Sequence, residues 1–337
     1  MSALRPPANA ALLRLSASAP PVLVVVVDTE EEFDWHAPFD RANIAVTHMR
    51  AIGDFQSVCD EFGVKPVYVI DHPIATQAAA FEPLRAIREA GRCEIGAHLH
   101  PWVSPPFEEE VHAQNSYPGN LPRELERAKL VGLVAAIEAN LGARPRSYKA
   151  GRYGFGPNTA AILAELGFEC DLSFCPAFDL RADGGPDYSE FPSDASWIDE
   201  RAGLVSIPTT GAFVGWAASP ASYRAAQSLR ALRLPGILAR LGAVERLHLS
   251  PEGYSLRDNR RLTEALLARG CRSFTLALHS PSLVPGHTSY VRSAAERDEF
   301  LDRIRRYLAF FLGELGGVSA TAVELRQRLT VPAQRTA

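Results

Sequence analysis

Val22-Leu23-Val24-Val25-Val26-Val27-Asp28-Thr29-Glu30 is the stretch whose reading decides the fold. Its opening run is uninterrupted apolar and rich in β-branched residues, which suits a strand covered on both faces. A half-solvated strand would alternate apolar with polar positions instead. The run ends directly in acid, and alternation puts Asp28 and Glu30 on one side of the chain.

The same design recurs along the sequence. Strand-like runs are expected at 64–70, at Cys93–His98, at 147–150, at 168–173, at 204–207 and at 272–278. Helical periodicity separates most of them. Thr47 is placed to cap a helix through Ile52, Phe55 and Cys59 that stops at Gly63. Another runs through Phe81, Leu84 and Ile87 to Gly91, and a long one covers 122–140. Helices follow near 157–166, 223–246, 257–269, 294–315 and 322–329, while 101–120 and 175–199 read as loops. The 223–246 segment is basic, with Arg224, Arg230, Arg233, Arg240 and Arg246; most such faces are simply solvated. Strands alternating with helices about seven times imply an α/β chain with a parallel sheet, open or closed into a barrel. A flexible leader is expected over 1–21 and one domain over 22–330.

Composition excludes some classes. The chain has 337 residues, 47% hydrophobic and 22% charged, with a net charge of −4. Nothing there marks a nucleic-acid binder. No stretch is long enough for an integral membrane segment. Five scattered cysteines without a CxxC pair argue against a disulfide framework and fit a cytoplasmic location. Oligomeric state is not legible.

Asp28, His98, Arg152 and His279 each fall just past the C-terminal end of an expected strand, the edge where parallel α/β folds assemble their sites. In His98-Leu99-His100-Pro101, the proline favours extended backbone at His100, so both imidazoles face one side and can share a metal ion. An acid from elsewhere could complete the set. Of Asp28 and Glu30, one could bind a cation while the other takes a proton from water. Glu31 and Glu32 read as solvated acid. Arg152, in a glycine-rich turn, could orient a carboxylate, and His279 suits a partly buried imidazole that delivers a proton. His36, His48, His72, His112, His248 and His287 lack comparable company.

These runs together resemble the polysaccharide deacetylase superfamily (carbohydrate esterase family 4, the NodB homology domain). The closer likeness is to its WalW-like branch, through His98-Leu99-His100-Pro101-Trp102 and Ala150-Gly151-Arg152-Tyr153-Gly154, and it covers Val22 to about residue 315. The resemblance implies a distorted (β/α)7 barrel. It implies Asp28 as base, Glu30, His98 and His100 as ligands of a divalent metal, Zn²⁺ foremost, Arg152 as the residue fixing Asp28, and His279 in Leu276-Ala277-Leu278-His279 as general acid. A loop motif with Asp and Trp is matched by Asp194 to Trp197, and Trp102, Tyr153 and Trp197 are the expected substrate contacts. Two departures stand out: Asp-Thr-Glu replaces an adjacent Asp pair, and His-Leu-His replaces two histidines four apart.

The implied activity is hydrolysis of an acyl group, foremost N-acetyl, on an amino sugar or glycoconjugate precursor. Two alternatives stay open: a metal-independent amidohydrolase of the same superfamily acting on a small cyclic amide, and a non-catalytic saccharide-binding barrel.

Overall fold

The computed structural model describes residues 4–34, 37–228 and 234–330. Seven parallel strands carry the architecture: β1 (Val22–Thr29), β2 (Val67–Ile70), β3 (Glu94–Leu99), β4 (Ser147–Ala150), β5 (Cys170–Asp171), β6 (Leu204–Ser206) and β7 (Ser273–His279). They pair in the order β7-β1-β2-β3-β4-β5-β6 and curl into a distorted (β/α)7 barrel. Among the described residues β6 and β7 do not pair. An antiparallel pair, Gly211–Val214 with Glu245–His248, lies at that gap. Its flanking backbone fastens to β7 where Ala277 N donates to Leu249 O at 3.1 Å.

Every residue of β1 is buried, and its two faces serve different cores. Leu23, Val25 and Val27 join the core that also holds the helical residues Phe55, Leu84 and Leu133. Val22, Val24 and Val26 turn inward with Val67, Val69, Cys170, Val205 and Ile207. Burying each such valine contributes about 2 kcal/mol, so slipping the register by one residue, which exchanges the faces, is strongly disfavoured. Ala322, Val323 and Leu325 of helix Ala322–Thr330 close the N-terminal end of this inner core. The interior is therefore largely apolar at that end, and the polar side chains gather at the C-terminal edge.

Two expectations change. The basic segment 223–246 is not one helix. Helix Pro220–Ser228 is followed by Leu234–Arg240, and Gly242, at φ 65°, turns the chain into strand Glu245–His248. Arg230 and Arg233 lie outside the described residues, as does His36. The loop 175–199 ends in a strand, Ala195–Asp199, antiparallel to β6, and Leu12–Leu13 pairs in turn with Ala195 and Ser196. No helix among the described residues is long and apolar enough to cross a membrane.

Candidate active site

The alternation that sends Val22, Val24 and Val26 inward continues to Asp28 and Glu30. On β3 the inward positions lead through Gly96 to His98 and His100; on β4 they reach Lys149, and on β7 His279. Register then sets the neighbours, with His279 opposite Asp28 and Lys149 opposite His98. Gly96 permits this convergence: a Cβ there would stand 2.6 Å from Ser147 Oγ and 2.9 Å from Val69 Cγ1. The result is a cavity of about 370 Å³ lined by Asp28, Glu30, His98, His100, Arg152 and His279, together with Tyr117, Tyr153 and Tyr290.

Glu30, His98 and His100 are buried and offer ligand atoms within 4.8 Å of one another. His98 Nδ1 donates to Lys149 O at 2.9 Å, and His100 Nδ1 donates to Glu31 Oε2 at 2.8 Å. Both rings are thereby fixed in the tautomer whose Nε2 carries a lone pair. Those lone pairs face Glu30 Oε2 at 3.3 and 3.4 Å, and His100 Nε2 has no hydrogen-bond partner among the described residues. Two imidazole lone pairs and a carboxylate oxygen aimed at one point repel each other unless a cation stands between them. Two histidines plus one carboxylate, with room beside them, is a donor set suited to a catalytic divalent ion. The residues present fit such a metal.

Glu31 is not solvated acid. It is fully buried behind His100, and its backbone N–H donates to Asp71 Oδ2 at 2.8 Å. Burial, with the neighbouring Glu30 charge and against the hydrogen bond with Asp71, pushes its carboxyl up to about 7. Asp71 Oδ1 meanwhile caps the short helix His72–Thr76 through Ile74 N at 2.9 Å. Glu32 is half-buried and accepts from Thr47 Oγ1 at 2.7 Å and from His48 N at 2.8 Å. Burial lowers His48 to about 4, leaving it neutral, so its Nδ1–H faces Glu32 while Nε2 accepts from Ser280 Oγ at 2.8 Å. Ser280 Oγ in turn accepts from Glu30 N at 3.3 Å. This latch ties the end of β1 to the end of β7.

The partner of Asp28 is Lys149, not Arg152. Lys149 Nζ reaches Oδ1 at 2.7 Å and Oδ2 at 2.6 Å, all of it buried. Burial alone would raise the Asp28 pKa, but Lys149, His98 and His279 outweigh it and hold it down to about 2. On the opposite side, His279 Nε2 lies 3.6 Å from Asp28 Oδ2. Its Nδ1 meets Glu252 Oε2 at 2.6 Å, and its backbone N–H donates to Glu252 Oε1 at 3.1 Å. Burial opposes the charge on His279, yet Glu252, Glu30 and Asp28 together raise its pKa to about 10. The ring stays 30% exposed to the cavity.

Other expected residues are placed differently. Arg152 lines the cavity but donates to Ser116 Oγ at 2.6 Å and Ala113 O at 3.2 Å. Trp102 does not line the cavity; its buried ring stacks on His100 with centroids 4.3 Å apart, backing that imidazole. Trp197 packs on the inner-core side of the outlying strand Ala195–Asp199, and Asp194 pairs with Arg14 at 2.9 Å, so that motif stands apart from the site. Tyr153 does line the cavity, 5.0 Å from Lys149 Nζ. His287, set aside in the sequence, also lines it, 3.4 Å from Glu32. Lys149 was findable, because a lone lysine in a doubly buried strand needs a counter-charge. Glu252, in the turn Pro251-Glu252-Gly253, gave no such signal.

No family model matches the chain, and no curated protein matches it. Among solved structures, it is similar to a protein from Mycobacterium smegmatis assigned as a polysaccharide deacetylase. That likeness has 15% identity and a TM-score of 0.56, covering 97% of this chain and 94% of that one. It is also similar to PuuE allantoinase, at 16% identity and a TM-score of 0.54, covering 94% of this chain and 96% of that one. At these identities the likeness establishes the fold, a deacetylase-type distorted barrel.

Proposed function

We propose that this chain is a metal-dependent hydrolase that removes an acyl group, foremost N-acetyl, from an amino sugar or glycoconjugate precursor. We assign it to the WalW-like branch of the polysaccharide deacetylase superfamily, with residues 22–330 as one catalytic domain. One observation carries the reading: Glu30 and the two imidazole Nε2 atoms face a common point, flanked by an ionised Asp28 and a cationic His279.

Glu30, His98 and His100 would hold the ion, Zn²⁺ being the first choice for this donor set. When bound, it supplies Lewis-acid polarisation of the amide carbonyl. The chain's own groups move the protons. Asp28, kept ionised by Lys149, takes one proton from the attacking water as the water oxygen bonds to the carbonyl carbon. The C–N bond then breaks, and His279 gives its Nε2 proton to the leaving nitrogen, so the products are acetate and a free amine. Lys149 both orients Asp28 and prevents it from keeping a proton in the resting state. The cysteines, all unpaired among the described residues, fit a reducing compartment, which favours a cytoplasmic nucleotide- or lipid-linked precursor over finished polymer.

Acetate release from N-acetylated amino sugars, measured for wild type and Asp28→Asn, tests the reading. Wild type releases acetate and the variant loses on the order of 10³-fold, within the range for a general base. An Asp28→Asn protein of undiminished activity would refute it.

A further inference from the structure

With Lys149 holding the base, Arg152 is released for another task, and its placement is unusual. Arg152 and Tyr153 are consecutive non-glycine residues at φ 54° and 59°. Such strain persists only where the surroundings enforce it, and it collects at ligand sites. The enforcement is visible next door: a Cβ on Gly151 would stand 2.4 Å from His100 Cδ2 and 2.5 Å from Leu99 O, so this turn is pressed against His100. The guanidinium lies 4.1 Å from the Tyr117 ring centroid and 5.1 Å from that of Phe39. Its Nη1 is committed to Ser116 and Ala113. Among the described residues, the other terminal nitrogen, Nη2, meets one ill-placed acid within ion-pair range: Asp183 Oδ2 at 3.7 Å, beyond hydrogen-bond distance.

The two partners are unequal. The Arg152 side chain is 14% exposed, whereas Asp183 is 65% exposed. An ion pair with so exposed an acid is worth roughly 0–1 kcal/mol. A substrate oxyanion bonded directly to a guanidinium already oriented by two rings gains more, because the donor geometry is preset and the guanidinium is largely buried. Both residues line the same cavity as Asp28, Glu30 and His279.

We propose that Arg152 is a specificity-determining subsite that reads an oxyanion, carboxylate or phosphate, on the sugar whose acyl group the site removes, with Asp183 as the exchangeable counter-ion it displaces. This rests on the deacylase reading for the identity of the rest of the ligand, but the anion subsite itself is a binding statement.

The test compares N-acetylglucosamine, N-acetylglucosaminuronic acid and N-acetylglucosamine 1-phosphate, by calorimetric binding and by acetate release. The proteins are wild type, Arg152→Met, Arg152→Lys and Asp183→Asn. In wild type at least one charged sugar binds at least tenfold more tightly than the neutral one; whichever does tells a carboxylate from a phosphate preference. Arg152→Met loses at least tenfold more affinity for that sugar than for the neutral one, and Arg152→Lys restores part of the difference. Asp183→Asn, a surface change that spares the buried turn, widens the preference. Equal affinities in wild type, or an Arg152→Met protein with an unaltered ratio, overturns the subsite. Acetate release without charge discrimination sinks the subsite and spares the deacylase. Arg152-dependent binding with no acetate from any sugar does the reverse.

Discussion

Lys149 Nζ lies 2.7 Å from one carboxylate oxygen of Asp28 and 2.6 Å from the other, although 121 residues separate them. Neighbouring side chains exclude water from the pair, so each charge depends on the other. Breaking one side leaves a buried, uncompensated charge at a cost of about 3–5 kcal/mol. Lys149→Met therefore lowers stability by that order and lowers kcat/KM by more than tenfold, while Lys149→Arg retains most of both. Chemical denaturation alongside acetate release checks this; a stable, fully active Lys149→Met protein contradicts the assignment.

The same pair predicts an acid limb. Asp28 has a folded pKa of about 2 against an ordinary 3.8. A depressed carboxylate stabilises the fold above its unfolded pKa, and the contribution disappears as pH falls from about 4 to about 2. Its size is about 2 kcal/mol. Stability curves of wild type and Asp28→Asn should differ in slope in that window.

His279 has the opposite sign. Its folded pKa is raised to about 10 by Glu252, Glu30 and Asp28 against burial, so its contribution is full below about 6.5 and is lost as pH rises towards 10. Glu252→Gln removes the carboxylate that meets Nδ1, and the alkaline limb of kcat/KM should move down by at least one unit. An unmoved limb would show that His279 does not set it.

Glu126 supplies a check outside the cavity. Buried, with its carboxyl accepting from Thr159 Oγ1 at 2.5 Å, it is raised to about 7 by burial. A raised carboxyl makes the folded state hold its proton longer, so stability declines as pH climbs from about 4.5 to about 7. Glu126→Gln should flatten that decline in urea titrations at several pH values, and a decline equally steep in the variant speaks against it.

Glu31 and Asp71 stand behind His100 and fix which of its nitrogens carries the proton. Outer partners of this kind typically govern metal affinity by 10–100-fold. Glu31→Gln should weaken Zn²⁺ binding within that range, read by competition with a chelating dye, while His98→Ala weakens it further. Wild-type affinity in Glu31→Gln would reduce that carboxyl to packing.

What the sequence carried well was periodicity. The run from Val22 to Val27 announces a doubly covered strand, and inward alternation carries straight on to Asp28 and Glu30. His98 and His100 follow from the same rule of two. What it hid depended on register between distant segments. That Lys149 meets Asp28 requires knowing how β4 lies against β3 and β1, and the family resemblance assigned Arg152 to Asp28 in its place. Glu252 arrives from the turn beyond the antiparallel pair, which helix-like periodicity in 223–246 concealed. Trp197 is aromatic and near an acid, as a sugar contact would be, but it sits on an antiparallel strand outside the parallel set.

The central claim is that Glu30, His98 and His100 form a metal site beside a paired acid and base. An anomalous-scattering crystal structure of the zinc-loaded protein tests it most directly. A single peak within bonding distance of both Nε2 atoms and the Glu30 carboxylate, with Asp28 and His279 facing it, is the result expected. A loaded crystal with no peak there, or with zinc bound only elsewhere, would contradict it.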